Sequence, residues 1–449
     1  MSEPRRSIAE RKDAGRALRE VAPRSSHGDF TPAAERADPI AILQEQAETR
    51  LQDLIPIRYG RMASSPFAFF RGSAAVMAAD LAATPRTGID VQACGDAHLA
   101  NFGLFATPER HVVFDLNDFD ETLPGPWEWD LKRLTTSFVV AGRHRRFTSA
   151  QVREAAATVV DSYVGRLRAL AHMGYLDVWY SRTDVDQIVA SLEGVELKTA
   201  QAILAKARSR DHLHAQSKLT EVVDGRRRIK ALSPLLQRVS FEGDETFIED
   251  AVRDYRATLP FAVQHLLGHY EYDDVALKVV GVGSVGTRCY IALFHGADDD
   301  DPMFLQIKEA ADSVLATHLG GEQGVNNGQR VVDGQRMLQA AGDLMLGWVQ
   351  TRGRQYYVRQ LFDVKGSVDL ETIRPGGLTV YGALCGATLA RAHARSGDAA
   401  MIAGYIGGGG KFGKAIVDFA ECYAKQTERD HELLVTAIND RLIPAEGGI

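Results

Sequence analysis

Apolar residues recur at intervals of three and four along much of the chain, and this spacing predicts helices. Shorter runs of β-branched and aromatic residues, bounded by glycine or charged residues, predict strands. The predicted helices cover residues 41–55, 76–81, 131–173 with a break near 142–146, 381–394 and 412–438. The predicted strands cover residues 88–94, 111–114, 288–294, 303–310 and 355–361. This mixture predicts an α+β protein.

The pattern also divides the chain into four parts. Residues 1–36 are charged and contain several prolines and serines, which predicts a flexible N-terminal tail. Residues 37–270 form a mostly helical region, with a candidate catalytic loop at 94–121 and a helical insertion at 145–270. Within that insertion, Asp224-Gly225 separates two β-prone runs and predicts a hairpin. Residues 271–366 then form a small antiparallel sheet, and residues 367–449 form closing helices.

Composition narrows the class of protein. At 449 residues, with 45% hydrophobic and 25% charged residues, the chain can bury a large core. The net charge of −7 argues against a general nucleic-acid binder. Four cysteines lie far apart without a C-x-x-C pair, so neither a zinc ribbon nor a disulfide framework is indicated. With a polar N-terminus and no apolar run of 18 residues, we expect a cytoplasmic protein without a membrane partner. The oligomeric state leaves no trace in the sequence.

Carboxylates cluster around one short strand in the candidate catalytic loop. Asp96 and Asn101 precede the strand, and Asp115, Asp118 and Asp120 lie at its end. Several like charges at one end of a strand repel one another unless a cation neutralises them. Carboxylate and amide oxygens are ligands that Mg²⁺ accepts in proteins. We therefore expect a cation or a positive group at this end of the strand.

A second stretch points to phosphate binding. Gly281, Gly283, Ser284 and Gly286 separate two β-prone segments, whereas a dinucleotide-binding loop would be followed by a helix. The next strand carries Lys308 among apolar residues, and a buried ammonium needs an anionic partner. We expect that partner from the helix within residues 329–341, where Asp333 and the more distant Glu322 are the candidates.

These stretches resemble the parts of protein-kinase-like enzymes, in particular the aminoglycoside-phosphotransferase-like branch. The resemblance implies that Asp96 is the catalytic base, that Lys308 pairs with the α- and β-phosphates of ATP, and that Asp363 lies near the nucleotide at the hinge. It also implies a magnesium site formed by Asn101 and Asp118 with Asp120 assisting, and Asp115 is the competitor of Asp118. It also implies a two-lobe fold, with a small antiparallel-sheet lobe and a large helical lobe. Further matching stretches are residues 127–134 and the helix that ends near His393.

The order of these parts is rotated relative to a kinase. The catalytic loop comes first, and the glycine loop, the Lys308 strand and the His393 helix follow it. We therefore expect a circularly permuted kinase-like fold, which is tolerable because chain termini often lie close together. From about residue 50 onward the chain also resembles the bacterial domain-of-unknown-function family 2252 (DUF2252). The matching motifs lie at 61–72, 95–103, 117–121, 127–134, 281–288, 305–310, 357–365 and 389–397.

The leading functional hypothesis is an ATP- and Mg²⁺-dependent phosphotransferase that acts on a hydroxyl of a small molecule. The helices of residues 140–270 and the arginines Arg58, Arg61 and Arg71 would shape the acceptor site, although these arginines could equally pair with the acids at 115–121. Alternatives are a regulatory pseudokinase that binds nucleotide without turnover, or an AMP transferase. A two-metal hydrolase built on Asp96, His98, Asp115 and Asp118 is a further alternative.

Overall fold

A computed structural model describes residues 6–209, 212–223, 226–239, 245–279, 281–298, 300–320, 325–361 and 366–447. The described chain is a mixed α+β protein, as the pattern of apolar residues predicted. The helices are α1 (Ile8–Ala17), α2 (Pro39–Glu48), α3 (Ile55–Ala63), α4 (Pro66–Gly72), α5 (Ala74–Ala82), α6 (Trp127–His144), α7 (Ser149–Leu170), α8 (Tyr175–Tyr180), α9 (Val185–Ala190), α10 (Gly194–Arg208), α11 (His212–Leu219), α12 (Glu245–Ala257), α13 (Phe261–Leu267), α14 (Ala316–Leu319), α15 (Asn327–Leu338), α16 (Pro375–Ser396), α17 (Ala399–Ile406) and α18 (Gly410–Asn439).

The strands form one larger sheet and three two-stranded ones. They are β1 (Asp90–Ala93), β2 (Phe102–Ala106), β3 (Val112–Leu116), β4 (Leu123–Pro126), β5 (Thr220–Val223), β6 (Arg226–Ile229), β7 (Leu236–Arg238), β8 (Glu271–Lys278), β9 (Cys289–His295), β10 (Pro302–Glu309), β11 (Gly347–Thr351) and β12 (Arg354–Gln360). The larger sheet has the antiparallel order β11-β12-β10-β9-β8-β7. The pairs β1-β4, β2-β3 and β5-β6 are separate.

The helices form a large apolar core on which the catalytic loop rests. Helix α6 is buried along nearly its whole length, and α7 packs along α16. Close packing of α7 against α16 requires Gly386, where an added Cβ would lie 2.1 Å from the carbonyl oxygen of Val159. The larger sheet has its own core, which is covered by α12 and α13. Among the described residues, no helix combines the length and the apolar character needed to span a bilayer.

The N-terminal residues differ from the flexible tail expected for 1–36. Residues 6–36 lie on the helical core, where α1 packs against α17. A Cβ added to Gly15 would lie 1.9 Å from the carbonyl oxygen of Met401, and one added to Gly404 would lie 2.1 Å from that of Lys12. Small residues on both helices therefore allow their backbones to touch. The guanidinium of Arg19 also donates to the carbonyls of Gly404 and Tyr405, which are free at the end of α17.

Other predicted elements are present close to their expected bounds. The predicted break near residue 142 falls between α6 and α7, and the predicted hairpin corresponds to the antiparallel pair β5-β6. The turn residues of that hairpin, Asp224 and Gly225, lie outside the described residues. The same holds for residues 362–365, so the expected position of Asp363 near a nucleotide stays a prediction.

Candidate active site

One buried carboxylate on α6 anchors the backbone at the start of the catalytic loop. Asp130, near the start of α6, accepts hydrogen bonds from the backbone N–H groups of Cys94 (2.6 Å) and Gly95 (3.0 Å). Its Oδ2 atom also lies 3.2 Å from Nε2 of His393 on α16. Gly95 has φ +81, and an added Cβ would lie 2.1 Å from the carbonyl oxygen of Glu121. Only glycine fits this turn, which sets the direction of Asp96.

Asp96 is held by an arginine from the neighbouring helix. The Nε atom of Arg133 donates to Oδ1 of Asp96 at 2.6 Å, and its guanidinium lies over the ring of Phe70. Burial raises the pKa of Asp96 to about 7, although Arg133 acts in the opposite direction. The carboxyl group therefore titrates near neutral pH, as suits a general base.

His98 stabilises the loop. Its Nδ1 atom accepts a hydrogen bond from the backbone N–H of Ala100 at 3.2 Å, and this bond caps the short 3-10 turn Leu99–Asn101. Burial holds the pKa of His98 well below its ordinary value, with Arg71 and Arg133 acting in the same direction. A neutral imidazole that accepts this bond has a structural role in the loop.

A backbone hydrogen bond joins Asn101 to the end of the β2-β3 hairpin. The backbone N–H of Asn117 donates to the carbonyl of Asn101 at 2.8 Å, and Asp118 is the next residue along the chain. The side-chain amide of Asn101 donates to the carbonyl of Asp96 at 2.6 Å, so its own carbonyl oxygen is turned away from that bond. Asp115, the competitor of Asp118, forms a buried ion pair with Arg391 instead.

Lys308 of β10 lies directly opposite these acids. Its ammonium contacts Oδ2 of Asp120 and is 3.8 Å from Oδ1 of Asp118. Burial alone would lower the pKa of Lys308, but the two carboxylates hold it well above the ordinary value. The pKa of Asp120 is lowered, because Lys308 and a 2.8 Å hydrogen bond from the Tyr357 hydroxyl outweigh burial. Segments almost 190 positions apart thus share one buried charge cluster.

Helix α15 does not supply the carboxylate expected for Lys308. Asp333 is exposed on its outer face, and Glu322 lies outside the described residues. The helix contributes Arg330, whose guanidinium donates to the carbonyls of Asp120 (2.9 Å) and Thr122 (2.5 Å). A carboxylate on α15 is unnecessary because Asp118 and Asp120 already neutralise the ammonium. Arg330 instead fixes the backbone that carries them.

The glycine loop folds down towards the same acids. The Ser284 hydroxyl donates to Oδ2 of Asp120 at 3.3 Å. Arg50 donates to the carbonyls of Gly283 (2.9 Å) and Val285 (2.6 Å), and Gly286 has φ +88. Sequence reasoning missed Arg50, since a polar residue at the end of α2 carries no signal of a loop more than 230 positions away. The loop follows a strand and leads into a strand, as predicted.

The three arginines near the aromatic run have different roles. Arg58 is fully buried and donates to the carbonyls of Leu43 (3.3 Å) and Gly72 (3.3 Å), so it stabilises α2, α3 and α4. Arg71 faces the site: its guanidinium lies beside Gly281, and its charge acts on Asp96 and Asp118. The Nε atom of Arg71 is buried without a hydrogen-bond partner among the described residues.

The residues present fit a magnesium ion in part. Oδ1 of Asp118 is buried and has no hydrogen-bond partner among the described residues, and the Lys308 ammonium lies 3.8 Å from it, beyond hydrogen-bond distance. A closer cation would satisfy this oxygen. The loop also carries the amide oxygen of Asn101, and Mg²⁺ commonly takes few protein ligands together with phosphate and water. Asp120 fits less well, since Lys308, Tyr357 and Ser284 already occupy it. Within the described ranges, no three His, Cys, Asp or Glu side chains form a ready-made metal cage.

A large cavity opens beside the catalytic loop. Its volume is about 1190 Å³, and it extends from the glycine loop at Val282, past Leu99 and Ala100, to the helices α9 and α10 of the insertion. Arg61 and Arg71 lie on the wall formed by α3 and α4. The cavity therefore adjoins Leu99 and Ala100, which are three and four positions from Asp96.

Fold and site define an α+β protein with a cleft in which a lysine and a glycine loop from one sheet face an acidic loop. The chain belongs to a family described as an uncharacterized protein conserved in bacteria (DUF2252), whose model matches residues 50–437. No curated protein and no solved structure matches the chain.

Proposed function

We propose that this protein is an ATP- and Mg²⁺-dependent phosphotransferase that acts on a hydroxyl group of a small molecule. The observation that carries the proposal is the position of Lys308, which contacts Asp120 and lies 3.8 Å from Asp118 across the cleft. An ammonium and carboxylates that meet beneath a glycine loop are the groups that bind the phosphates and the metal in kinase-like enzymes.

The arrangement of the larger sheet supports a kinase-like lobe. Strand β8, the glycine loop, β9, the Lys308 strand β10, helix α15, β11 and β12 follow one another, and the sheet order β11-β12-β10-β9-β8 places β10 in the middle. The lysine of such a lobe lies on its third strand, after the glycine loop. The helical region would be the larger lobe that supplies the acids.

Contacts at the end of α16 support the circular permutation. The backbone N–H of Gln92, on the strand that leads into the catalytic loop, donates to the hydroxyl of Ser396 at 3.0 Å. A Cβ added to Gly397 would lie 3.2 Å from the carbonyl oxygen of Asp90. The end of α16 and the start of β1 are therefore neighbours in space, although about 300 positions separate them. An unpermuted kinase-like chain would connect these two points directly.

Each residue then has a defined role. The backbone N–H groups of the glycine loop approach the phosphates because no side chains obstruct them, and Lys308 neutralises their charge. Asn101 and Asp118 hold Mg²⁺, which supplies neutralisation of charge on the transferred phosphoryl group. The oxygen of the acceptor hydroxyl bonds to the γ-phosphorus while the bond from that phosphorus to the ADP oxygen breaks. Asp96 accepts the proton that the hydroxyl loses. Arg133 orients Asp96 for this transfer.

A thermal-shift titration with ATP, with and without Mg²⁺, tests the proposal first. A ligand at about 100 times its Kd adds ~2.7 kcal/mol to stability. We expect Mg²⁺-ATP to stabilise the protein, Asp118→Ala to lose this effect, and Asp96→Asn to keep it while losing transfer. Asp440→Asn, at an exposed position near the C-terminal end, is the matched control and leaves both unchanged.

The position of the label in ATP distinguishes the related activities. Transfer from γ-labelled ATP to an acceptor indicates a phosphotransferase, whereas transfer from α-labelled ATP indicates an AMP transferase. Binding with no turnover of either label indicates a regulatory nucleotide-binding protein. If Asp118→Ala and Asp96→Asn both retain wild-type turnover, the assignment of this cleft is wrong.

A further inference from the structure

The cavity beside the catalytic loop has walls of two different kinds. The wall made by the insertion carries an apolar stripe, because α9 contributes Val185, Ile188 and Val189, and Leu192 and, on α10, Ile203 continue it; Glu196, Thr199 and Lys206 of α10 border this stripe. The opposite side adds Phe114, Leu370 and Ile373, next to the charged residues Asp369, Glu371 and Arg374. Such a lining excludes water and favours an apolar ligand body.

The wall next to the active site is cationic. Arg61 lies on α3 and Arg71 on α4, and both border the cavity beside Val282 of the glycine loop. The charge of Arg71 acts on Asp96 and Asp118, so this wall is the end at which a hydroxyl would meet the catalytic base. Guanidinium groups bind carboxylates and phosphates through paired N–H donors.

We propose that this cavity binds the acceptor, and that the acceptor is an amphipathic hydroxy acid with its acidic group against Arg61 and Arg71 and its apolar body against α9 and α10. This inference rests on the proposed phosphotransferase function and names its substrate class. The cavity, at about 1190 Å³, exceeds the ~300–1,000 Å³ of common small-molecule pockets, which leaves room for a long chain or several rings.

The apolar stripe disfavours a polyhydroxylated acceptor. Its hydroxyl groups would lose water without gaining hydrogen bonds from Ile188, Leu192 or Ile203. Arg61 and Arg71 would repel a cationic ligand at the end next to the active site, whereas Glu196, Asp369 and Glu371 elsewhere on the lining would attract one. The test therefore compares the amphipathic acid that we propose with the aminoglycoside-like class that the sequence resemblance suggests.

The first experiment measures binding without nucleotide, by calorimetry. The probes are 3-hydroxydodecanoate, which combines a carboxylate, a nearby hydroxyl and an apolar chain, and 1-dodecanoylglycerol 3-phosphate, which carries a phosphate instead. 3-Hydroxybutanoate lacks the apolar body, dodecanol lacks the charge, and kanamycin represents the polycationic class. We expect at least one of the two amphipathic acids to bind at least tenfold more tightly than the other three compounds. The stronger of the two acids identifies the acidic group.

Variants assign the binding to this cavity. Arg61→Gln should weaken binding of the amphipathic acid by about tenfold and leave dodecanol unaffected, because only the charged contact is lost. Ile188→Asn should weaken both by about tenfold. The controls are Arg208→Gln, an exposed arginine at the end of α10, and Leu176→Asn, an exposed leucine on α8; both should bind as the wild type. A far-ultraviolet circular dichroism melt shows whether each variant is folded.

The outcomes separate this inference from the proposed function. If Arg61→Gln and Ile188→Asn weaken the binding of the amphipathic acid but no transfer from ATP occurs, the assignment of the cavity is supported and the proposed phosphotransferase function is overturned. Transfer from ATP to kanamycin, with no binding of either amphipathic acid, overturns the cavity assignment and supports the phosphotransferase. If the amphipathic acid binds but neither Arg61→Gln nor Ile188→Asn weakens its binding, the assignment of the cavity is overturned as well.

Discussion

The buried charges around Lys308 lead to a prediction about stability that does not depend on any ligand. Lys308 is 3% exposed and is paired with Asp120, with Asp118 beside it. Replacement by methionine removes the cation and leaves two carboxylates facing each other. Removal of one partner from a buried ion pair costs ~3–5 kcal/mol, and we expect Lys308→Met to lower the free energy of unfolding by that amount.

A double-mutant cycle of Lys308 and Asp120 measures how far the contribution of each charge to stability depends on the other. In Asp120→Asn, Lys308 keeps Asp118 at 3.8 Å, and that pair is worth ~4 kcal/mol at an effective dielectric constant of about 20, before screening of the partly exposed Asp118. We therefore expect Asp120→Asn to cost only ~1–3 kcal/mol. In the double variant, the asparagine no longer repels Asp118, so the total loss falls short of the sum by ~1–3 kcal/mol.

Urea unfolding at pH 7, followed by circular dichroism, is measured for the wild type, Lys308→Met, Asp120→Asn and the double variant. The difference between the double variant's loss and the sum of the single losses is the coupling energy. The matched control is the exposed pair of Lys414 and Asp418 on α18, for which Lys414→Met, Asp418→Asn and their combination should show coupling below ~0.5 kcal/mol. If the losses at Lys308 and Asp120 add within ~0.5 kcal/mol, the two groups do not interact and the assembled cleft is refuted.

Three further predictions concern single groups. Burial raises the pKa of Asp96 to about 7, and only its ionised form can act as a base. We therefore expect kcat/KM for transfer to fall tenfold per pH unit below about pH 7 and to level off above it. A flat profile from pH 5 to 8 would exclude Asp96 as the base. Gly15→Ala should lower the free energy of unfolding by ~1–3 kcal/mol, because the added Cβ meets the backbone of Met401. The control Gly165→Ala, in open space on α7, should not destabilise the protein. Equal stabilities of the two variants would argue against the docking of α1. Asp130→Ala should reduce both stability, by ~3 kcal/mol or more, and turnover, whereas Asp96→Asn reduces turnover alone; a fully stable Asp130→Ala would contradict its anchoring role.

The sequence was informative where one local rule decides the structure. The apolar spacing gave helices close to α7, α16 and α18, and β-prone runs gave β9, β10 and β12. Chemistry showed that Lys308 needs an anionic partner, since an unpaired buried ammonium is costly, but we expected that partner on the helix within residues 329–341 and not on the acidic loop.

Specific partners could not be predicted in the same way. The chain offers many arginines, and a sequence does not show that Arg133 serves Asp96 while Arg391 serves Asp115. These choices are set by which helix faces meet in the core. The docking of α1 was missed because half of its residues are charged, and the signal was the pair of glycines, Gly15 and Gly404, at the crossing point.

Helix α16 restrains the candidate site from a distant part of the chain. It lies in the last fifth of the chain and supplies Arg391 to Asp115 and His393 to Asp130, so it contacts both strand β3 and the loop that carries Asp96. In the circular permutation that we propose, an unpermuted chain would connect this helix to the loop covalently, and that connection would provide part of the restraint. The Arg391–Asp115 ion pair, the contact of His393 with Asp130 and the hydrogen bond from Gln92 to Ser396 would then take the place of the peptide bonds. Catalytic geometry depends on the positions of the groups and not on their order in the chain, so contacts of this kind can maintain the proposed site.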